Sequence, residues 1–160
     1  MNLEELADRL EIIELYARYV HAGDTHDIAT LDDLVFLDET TLDYRSAGAS
    51  LSIWKDAKRD AFFNGVFPLG FHVSVNQIIE FEDAERTAAT VRAKTMNPWG
   101  AEGSPNEGDP DRFYLVLGMH TDRLVRTERG WRFASRVWTQ DWVTAWKDGS
   151  ARIIHSVEDM

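Results

Sequence analysis

The stretch Phe71-His72-Val73-Ser74-Val75-Asn76-Gln77-Ile78-Ile79-Glu80-Phe81 decides how the chain is read. It is long, rich in β-branched residues and free of Gly and Pro, so it reads as a strand. A period of two puts His72, Ser74, Asn76 and Ile78 on one face and Val73, Val75, Gln77 and Ile79 on the other. A polar set on one face is expected where a sheet lines a cavity. Three runs of the same character follow, from Arg86 to Asn97, Arg112 to Thr127 and Trp131 to Trp142. The breaks at Asp83-Ala84-Glu85 and Glu128-Arg129-Gly130 are short enough for hairpins, so consecutive strands are expected to be antiparallel neighbours. Pro98 to Pro110 is too polar for a core and long enough to be a mobile loop or lid.

Upstream the pattern turns helical. Leu6, Leu10, Ile13, Tyr16 and Val20 recur along one stripe, which predicts an amphipathic helix over 3–20 with that stripe buried. Gly23 is read as its stop and Asp24 as the cap of a second helix through Ile28, Leu31 and Leu34. A short strand from Thr40 to Arg45, a turn at Ser46 to Ser50 and a third helix from about Ser52 to Asn64 complete the order. Helix, helix, strand, helix and four strands predict an α+β fold, a curved antiparallel sheet packed on three helices. A sheet curled around helices leaves a cavity between the layers, the usual place for a small molecule. One domain is expected over 1–145, with 146–160 as a C-terminal tail.

The chain has 160 residues and a formal net charge of −11. Lys and Arg are not clustered, and nucleic acids and anionic membranes need a basic footprint, so neither is an expected partner. There is no Cys, which removes disulfides, thiolate metal sites and sulfur nucleophiles together. Residues 1–15 alternate acids with apolar residues and show neither a signal peptide nor a membrane span, so a cytoplasmic location is expected.

Five histidines are the candidates for proton transfer near neutral pH. His72 shares a face with Ser74 and Asn76; the competing reading is a ring that satisfies a backbone carbonyl at a strand edge. His120 shares its face with Tyr114, Val116, Gly118 and Asp122, where it could equally be a cross-strand partner of an acid. His21 ends the first helix, where the negative end of the helix dipole alone would explain it. His26 and His155 receive no role. No His pair has the spacing of a helical metal site, and no Gly-rich phosphate loop is present, so no metal and no cofactor are expected.

In order and spacing, several segments resemble the SnoaL-like, scytalone-dehydratase-like group of the nuclear transport factor two-like superfamily. They are Leu15-Tyr16-Ala17-Arg18-Tyr19 through Asp24, Leu42-Asp43-Tyr44-Arg45-Ser46, Phe71-His72 with Asn76, and Asp122-Arg123-Leu124-Val125-Arg126 followed by Gly130-Trp131-Arg132. The resemblance implies a cone-shaped fold with an internal pocket. In dehydratases of the group a His on the first long strand takes or relays a proton, which implies that role for His72. An Asp near the end of the first helix usually pairs with it; that position is matched here by His21, which implies a His21–His72 couple, with Asp24 or Asp43 as alternative sources of the carboxylate. The same carry-over gives Tyr44 the polarising of a substrate oxygen and makes Tyr16, His120 and Asn97 substrate-binding. Trp54, Phe62 and Trp99 are expected near the mouth or floor of the pocket.

The implied activity is that of a cofactor-independent lyase, a dehydratase or retro-aldol-type C–C lyase, acting on a small aromatic or polycyclic hydroxylated substrate. An isomerase or polyketide cyclase is the enzymatic alternative. A noncatalytic ligand-binding module, or a protein like a dioxygenase β subunit, is the alternative from another class. A homo-oligomer, trimer or dimer, is expected, because the sheet face with Val73, Val75 and Ile79 wants cover.

Overall fold

The computed structural model describes residues 1–48, 50–60, 71–99, 113–147 and 150–154. Helix α1 (Leu3–Asp24) opens with Asn2, whose side chain accepts from the Glu5 amide at 2.8 Å, and with Glu4 and Glu5 on the positive end of its dipole. The buried face carries Asp8, Ile12, Leu15, Tyr16, Tyr19 and Ala22. This corrects the expected stripe: Leu6, Leu10 and Ile13 are exposed. The helix has apolar residues on two faces, and periodicity alone selected the one that the sheet does not cover.

The helix runs one residue past Gly23, so Asp24 is its last residue and not the cap of the next. The cap falls to Asp27, whose carboxylate accepts from the Thr30 amide at 3.0 Å and starts a short α2 (Ile28–Thr30) that continues as a π turn over Leu31–Val35. Strand β1 (Phe36–Asp43) begins earlier than expected; a 3₁₀ turn at Arg45–Ala47, a short β2 (Leu51–Ile53) and α3 (Trp54–Asp60) follow.

The long strands are β3 (Val73–Phe81), β4 (Ala88–Trp99), β5 (Phe113–Thr127) and β6 (Gly130–Lys147), as the sequence pattern predicts. A further strand, β7 (Ser150–Ile154), pairs with β6, so residues read as tail join the sheet. The order is β2-β1-β6-β5-β4-β3, with β7 also on β6. Pairing is antiparallel except between β1 and β6, which run parallel. The result is a mixed α+β fold in which a curved, unclosed sheet packs its inner face on the helices. Phe62 and residues 100–110 of the expected lid lie outside the described residues. No helix among the described residues is long and apolar enough to cross a membrane.

Bulges decide which side chains face in. On β3 the register slips between Val75 and Ile78, where Asn76 takes φ 57°, a left-handed conformation that Asn tolerates. Asn76 is therefore an exposed bulge residue and leaves the inner face, while Ile79 and Phe81 turn onto the core. On β6 the register slips at Ala134 and again at Asp141. The second slip separates two tryptophans that strict alternation would keep together: Trp138 is buried and Trp142 is 50% exposed.

The main core gathers Ile12, Leu15, Tyr19, Phe36, Trp54 and Phe133 between helices and sheet. A smaller cluster of Val116, Trp138 and Val143 packs against Tyr44 and Ala47.

Candidate active site

His72 lies immediately before β3, and Asp24 ends α1. The Nδ1 of His72 is 2.5 Å from Oδ1 of Asp24, and the His72 backbone amide donates to Oδ1 and Oδ2 of the same carboxylate at 3.2 and 3.1 Å. An ionised carboxylate only accepts, so Nδ1 carries the proton and the neutral ring has its lone pair on Nε2. Both side chains are largely buried, at 17% and 18% exposure. A carboxylate at a helix C-terminus opposes the helix dipole by about 0.3–1 kcal/mol. Its place is explained by the two donors of His72 and not by helix stability.

The register Val73↔Met96 and Ser74↔Thr95, extended by the Phe71 amide donating to the Pro98 carbonyl at 3.3 Å, sets His72 opposite Asn97. Asn97 is buried, and neither its Oδ1 nor Ser74 Oγ has a hydrogen-bond partner among the described residues. On the next strand His120 is buried between aromatic rings: Tyr19 and Tyr44 meet it edge-on at 6.4 and 6.2 Å, and Trp138 lies tilted at 6.4 Å. Its Nδ1 likewise lacks a partner among the described residues. Burial first, then the charge of Arg136 and the nearness of His72, hold His120 well below the usual histidine range, so it is neutral at pH 7. Burial, with Tyr19 beside it, pushes the Tyr44 phenol well above its ordinary value and keeps it a hydroxyl.

Beneath these groups Arg136 and Asp122 form a fully buried, two-pronged ion pair, Nε to Oδ1 at 3.0 Å and Nη2 to Oδ2 at 2.7 Å. Tyr16 donates its hydroxyl to Asp122 Oδ2 at 2.5 Å. The guanidinium carbon lies 3.9 Å from the centre of the Tyr19 ring and 4.3 Å from that of Phe133. Burial opposes the charge on Arg136, but the Asp122 carboxylate outweighs it and the pair remains ionised.

The structure thus brings His72, Asn97, His120 and Tyr44 to the inner surface at one end of the sheet, and separates other expected residues from them. His21 is exposed, its carbonyl accepting from the Thr25 amide and hydroxyl, so the expected His21–His72 couple does not form, and the partner of His72 is Asp24, the first of the two alternative carboxylates. Asp43 turns to Arg45, whose hydrogen bonds lower its carboxyl to about 2. Trp54 is fully buried in the main core, 4.5 Å from Phe36, with its indole N–H on Asp32 at 2.7 Å. Tyr16 is committed to Asp122. Sequence reading missed Tyr19 and the Asp122–Arg136 pair; the available signal was an acid and an arginine on inward positions of apolar strands, where charges occur in pairs.

Residues 4–137 match the SnoaL-like domain, and the chain belongs to that family. The uncharacterized protein Rv2910c of Mycobacterium tuberculosis H37Rv is 29% identical over 142 residues, which cover 88% of this chain and 90% of that protein. Among solved structures, hexachlorocyclohexane dehydrochlorinase LinA-type3 of Novosphingobium barchaimii superposes with a TM-score of 0.76 at 17% identity, over 98% of this chain and 99% of that one. A nuclear transport factor 2-like superfamily protein of Salmonella enterica gives 0.68 at 14% identity, over 85% and 92%. Both structural likenesses speak to the fold.

Proposed function

We propose that the protein is a cofactor-independent lyase in which His72, oriented by Asp24, is the general base. The contact that carries this reading is the 2.5 Å approach of Asp24 Oδ1 to His72 Nδ1, because it fixes the tautomer whose Nε2 can accept a proton. In a dehydration beside a carbonyl, Nε2 takes the proton from carbon, the C–H electron pair passes into an enolate, and its collapse to the new π bond expels the adjacent hydroxyl as water with the proton returned from Nε2. In a retro-aldol cleavage the same nitrogen takes a hydroxyl proton, the O–H pair becomes a C=O bond, and the C–C pair passes into an enolate that Nε2 then protonates. Either path builds negative charge on a substrate oxygen, and the neutral Tyr44 phenol is the donor for it.

A small hydroxylated aromatic or polycyclic substrate suits the surroundings. Tyr19, Tyr44 and Trp138 offer aromatic walls, while Asn97 Oδ1, Ser74 Oγ and His120 Nδ1 are buried polar atoms whose hydrogen bonds a hydroxylated ligand would complete. The likeness to a dehydrochlorinase fits the same logic, since loss of HCl, like loss of water, begins with a base removing a proton beside a leaving group.

The test is incubation of the purified protein with a panel of hydroxylated aromatics and polycyclics, read by mass spectrometry beside His72→Gln. Loss of water or of a carbon fragment that vanishes in the variant supports the lyase. A product of unchanged mass would assign an isomerase or cyclase instead. Full activity of His72→Gln would remove His72 from the mechanism.

A further inference from the structure

We infer that the site takes an uncharged substrate with two hydroxyl groups at opposite ends of a ring system, one read by Asn97 beside His72 and the other by His120. The inference takes the place of the site from the lyase reading and adds what the substrate carries away from the reacting carbon.

Asn97 Oδ1, Ser74 Oγ and His120 Nδ1 are buried and have no hydrogen-bond partner among the described residues. Leaving such atoms unpaired is costly, so a ligand that completes their bonds is preferred. They do not sit together. Asn97 lies opposite His72 and pairs with Val116, whereas His120 is four residues further along β5, opposite Ala93. Four residues span about 13 Å and the step to the neighbouring strand adds about 4.8 Å sideways, so the two positions are roughly 14 Å apart. Side chains stand across a sheet, which keeps their tips at a similar separation. One hydroxyl cannot serve both ends; two oxygens roughly 8 Å apart, each bonding at about 2.8 Å, can, and that is the span of two fused six-membered rings. Between the ends Trp138, the cross-strand partner of His120, lies against Gly118 with its N–H on Thr95 Oγ1 at 3.1 Å, so the middle of the ligand meets an aromatic surface.

The chemistry of each end selects a hydroxyl. Asn97 Oδ1 only accepts, so the group that meets it carries a hydrogen, which a ketone or a carboxylate lacks. The neutral His120 ring donates from Nδ1 in one tautomer and accepts there in the other, and a hydroxyl matches either. Charge selects a neutral molecule. Asp24 and Asp122 are negative, and the positive charge of Arg136 is already held by Asp122. Arg136 Nη1 also lacks a partner, but the guanidinium is at zero exposure with the Tyr19 and Phe133 rings 3.9 and 4.3 Å from its carbon, so an anion does not reach it. The net charge of −11 adds to the repulsion of an anionic ligand.

The experiment measures dissociation constants by isothermal titration calorimetry, which does not depend on turnover. The probes are 2,6-dihydroxynaphthalene, 2-naphthol and 6-hydroxy-2-naphthoate, titrated into the wild type, His120→Phe and Asn97→Leu, with circular dichroism as the check on folding. The diol is expected to bind the wild type at least tenfold more tightly than 2-naphthol, and the naphthoate more weakly than either. His120→Phe should remove the advantage of the diol and leave 2-naphthol within about twofold, whereas Asn97→Leu should weaken both. Equal affinity of the wild type for the diol and 2-naphthol would mean that solvent serves His120 and would overturn the inference. So would tight binding of the naphthoate, an equal loss of both naphthols in a folded His120→Phe, or no binding of the diol. The wild-type comparison decides even where a variant fails to fold. Selective binding of the diol with no turnover of any hydroxylated aromatic would remove the lyase and leave the two-ended recognition standing.

Discussion

The carboxylate of Asp24 accepts both the ring Nδ1–H and the backbone N–H of His72, so one side chain at the end of α1 fixes the ring's tautomer and the position of the chain entering β3. An Asn at 24 can present its amide to Nδ1 as a donor, which would move the ring proton to Nε2 and abolish the base. Asp24→Asn is expected to lower kcat on a turned-over substrate by about 10²–10⁴-fold with little change in KM. Nitrogen NMR of the imidazole gives a check that does not depend on turnover. Wild-type His72 should show the Nδ1–H tautomer, and the variant should show Nε2–H.

Most of the fold was legible because its signals are local and repetitive. Four long β-branched runs and two three-residue breaks name β3 to β6 and their hairpins without any tertiary information. What was not legible depended on one-residue offsets. Continuing α1 by a single residue past Gly23 converts Asp24 from a cap into the partner of His72. An extra residue at Asn76 takes it off the inner face, and one at Asp141 sends Trp142 outward while Trp138 stays in. His72 was marked both by its strand face and by the resemblance and Tyr44 by the resemblance, and the fold brings the two to the same inner surface. The same resemblance pointed to His21, which the helix geometry leaves exposed.

The Arg136–Asp122 pair is at zero exposure, so its two halves are not independent. Asp122→Ala strands a buried guanidinium and is expected to cost about 3–5 kcal/mol. Replacing both partners with apolar residues, Arg136→Met with Asp122→Leu, should recover a large part of that loss, since no unpaired charge remains. Urea denaturation of the single and double variants decides the matter; a double variant as unstable as Asp122→Ala would mean that the pair shapes the Tyr16 and Tyr19 positions in a way that apolar packing cannot replace.

His120 makes stability depend on pH. Its folded value lies well below the ordinary histidine value of 6.5, chiefly through burial, so below pH 6.5 the unfolded chain binds a proton that the folded one refuses. The stability from this group is fully present above pH 6.5 and is lost as pH falls toward the folded value, with a slope approaching ~1.4 kcal/mol per pH unit. The groups facing it are Tyr19, Tyr44, Arg136 and His72, none of which offers it a carboxylate partner. Thermal melts between pH 7.5 and 5 should fall for the wild type and fall less steeply for His120→Gln, which cannot take up a proton. The hydrogen bonds of Arg45 lower the Asp43 carboxyl from the ordinary 3.8 to about 2, a lower and separate window.

At Gly118 the backbone of β6 and the Trp138 ring lie close against β5 on the inner face. A β-carbon there would sit against the Thr139 carbonyl and 2.8 Å from Trp138 Nε1. Neither neighbour is free to retreat, because Thr139 is backbone in the β5–β6 ladder and the Trp138 indole donates to Thr95 Oγ1 at 3.1 Å. Gly118→Ala is therefore expected to cost about 1–3 kcal/mol, the usual range for overpacking, and to displace the indole from Thr95. Because Trp138 also packs on Tyr44 at 6.0 Å and on His120, the displacement reaches the proposed site. Near-ultraviolet circular dichroism should change with the melting temperature. A variant as stable as the wild type, with an unchanged aromatic spectrum, would show that the β6 bulge can absorb a methyl group and that the close approach at Gly118 is not required.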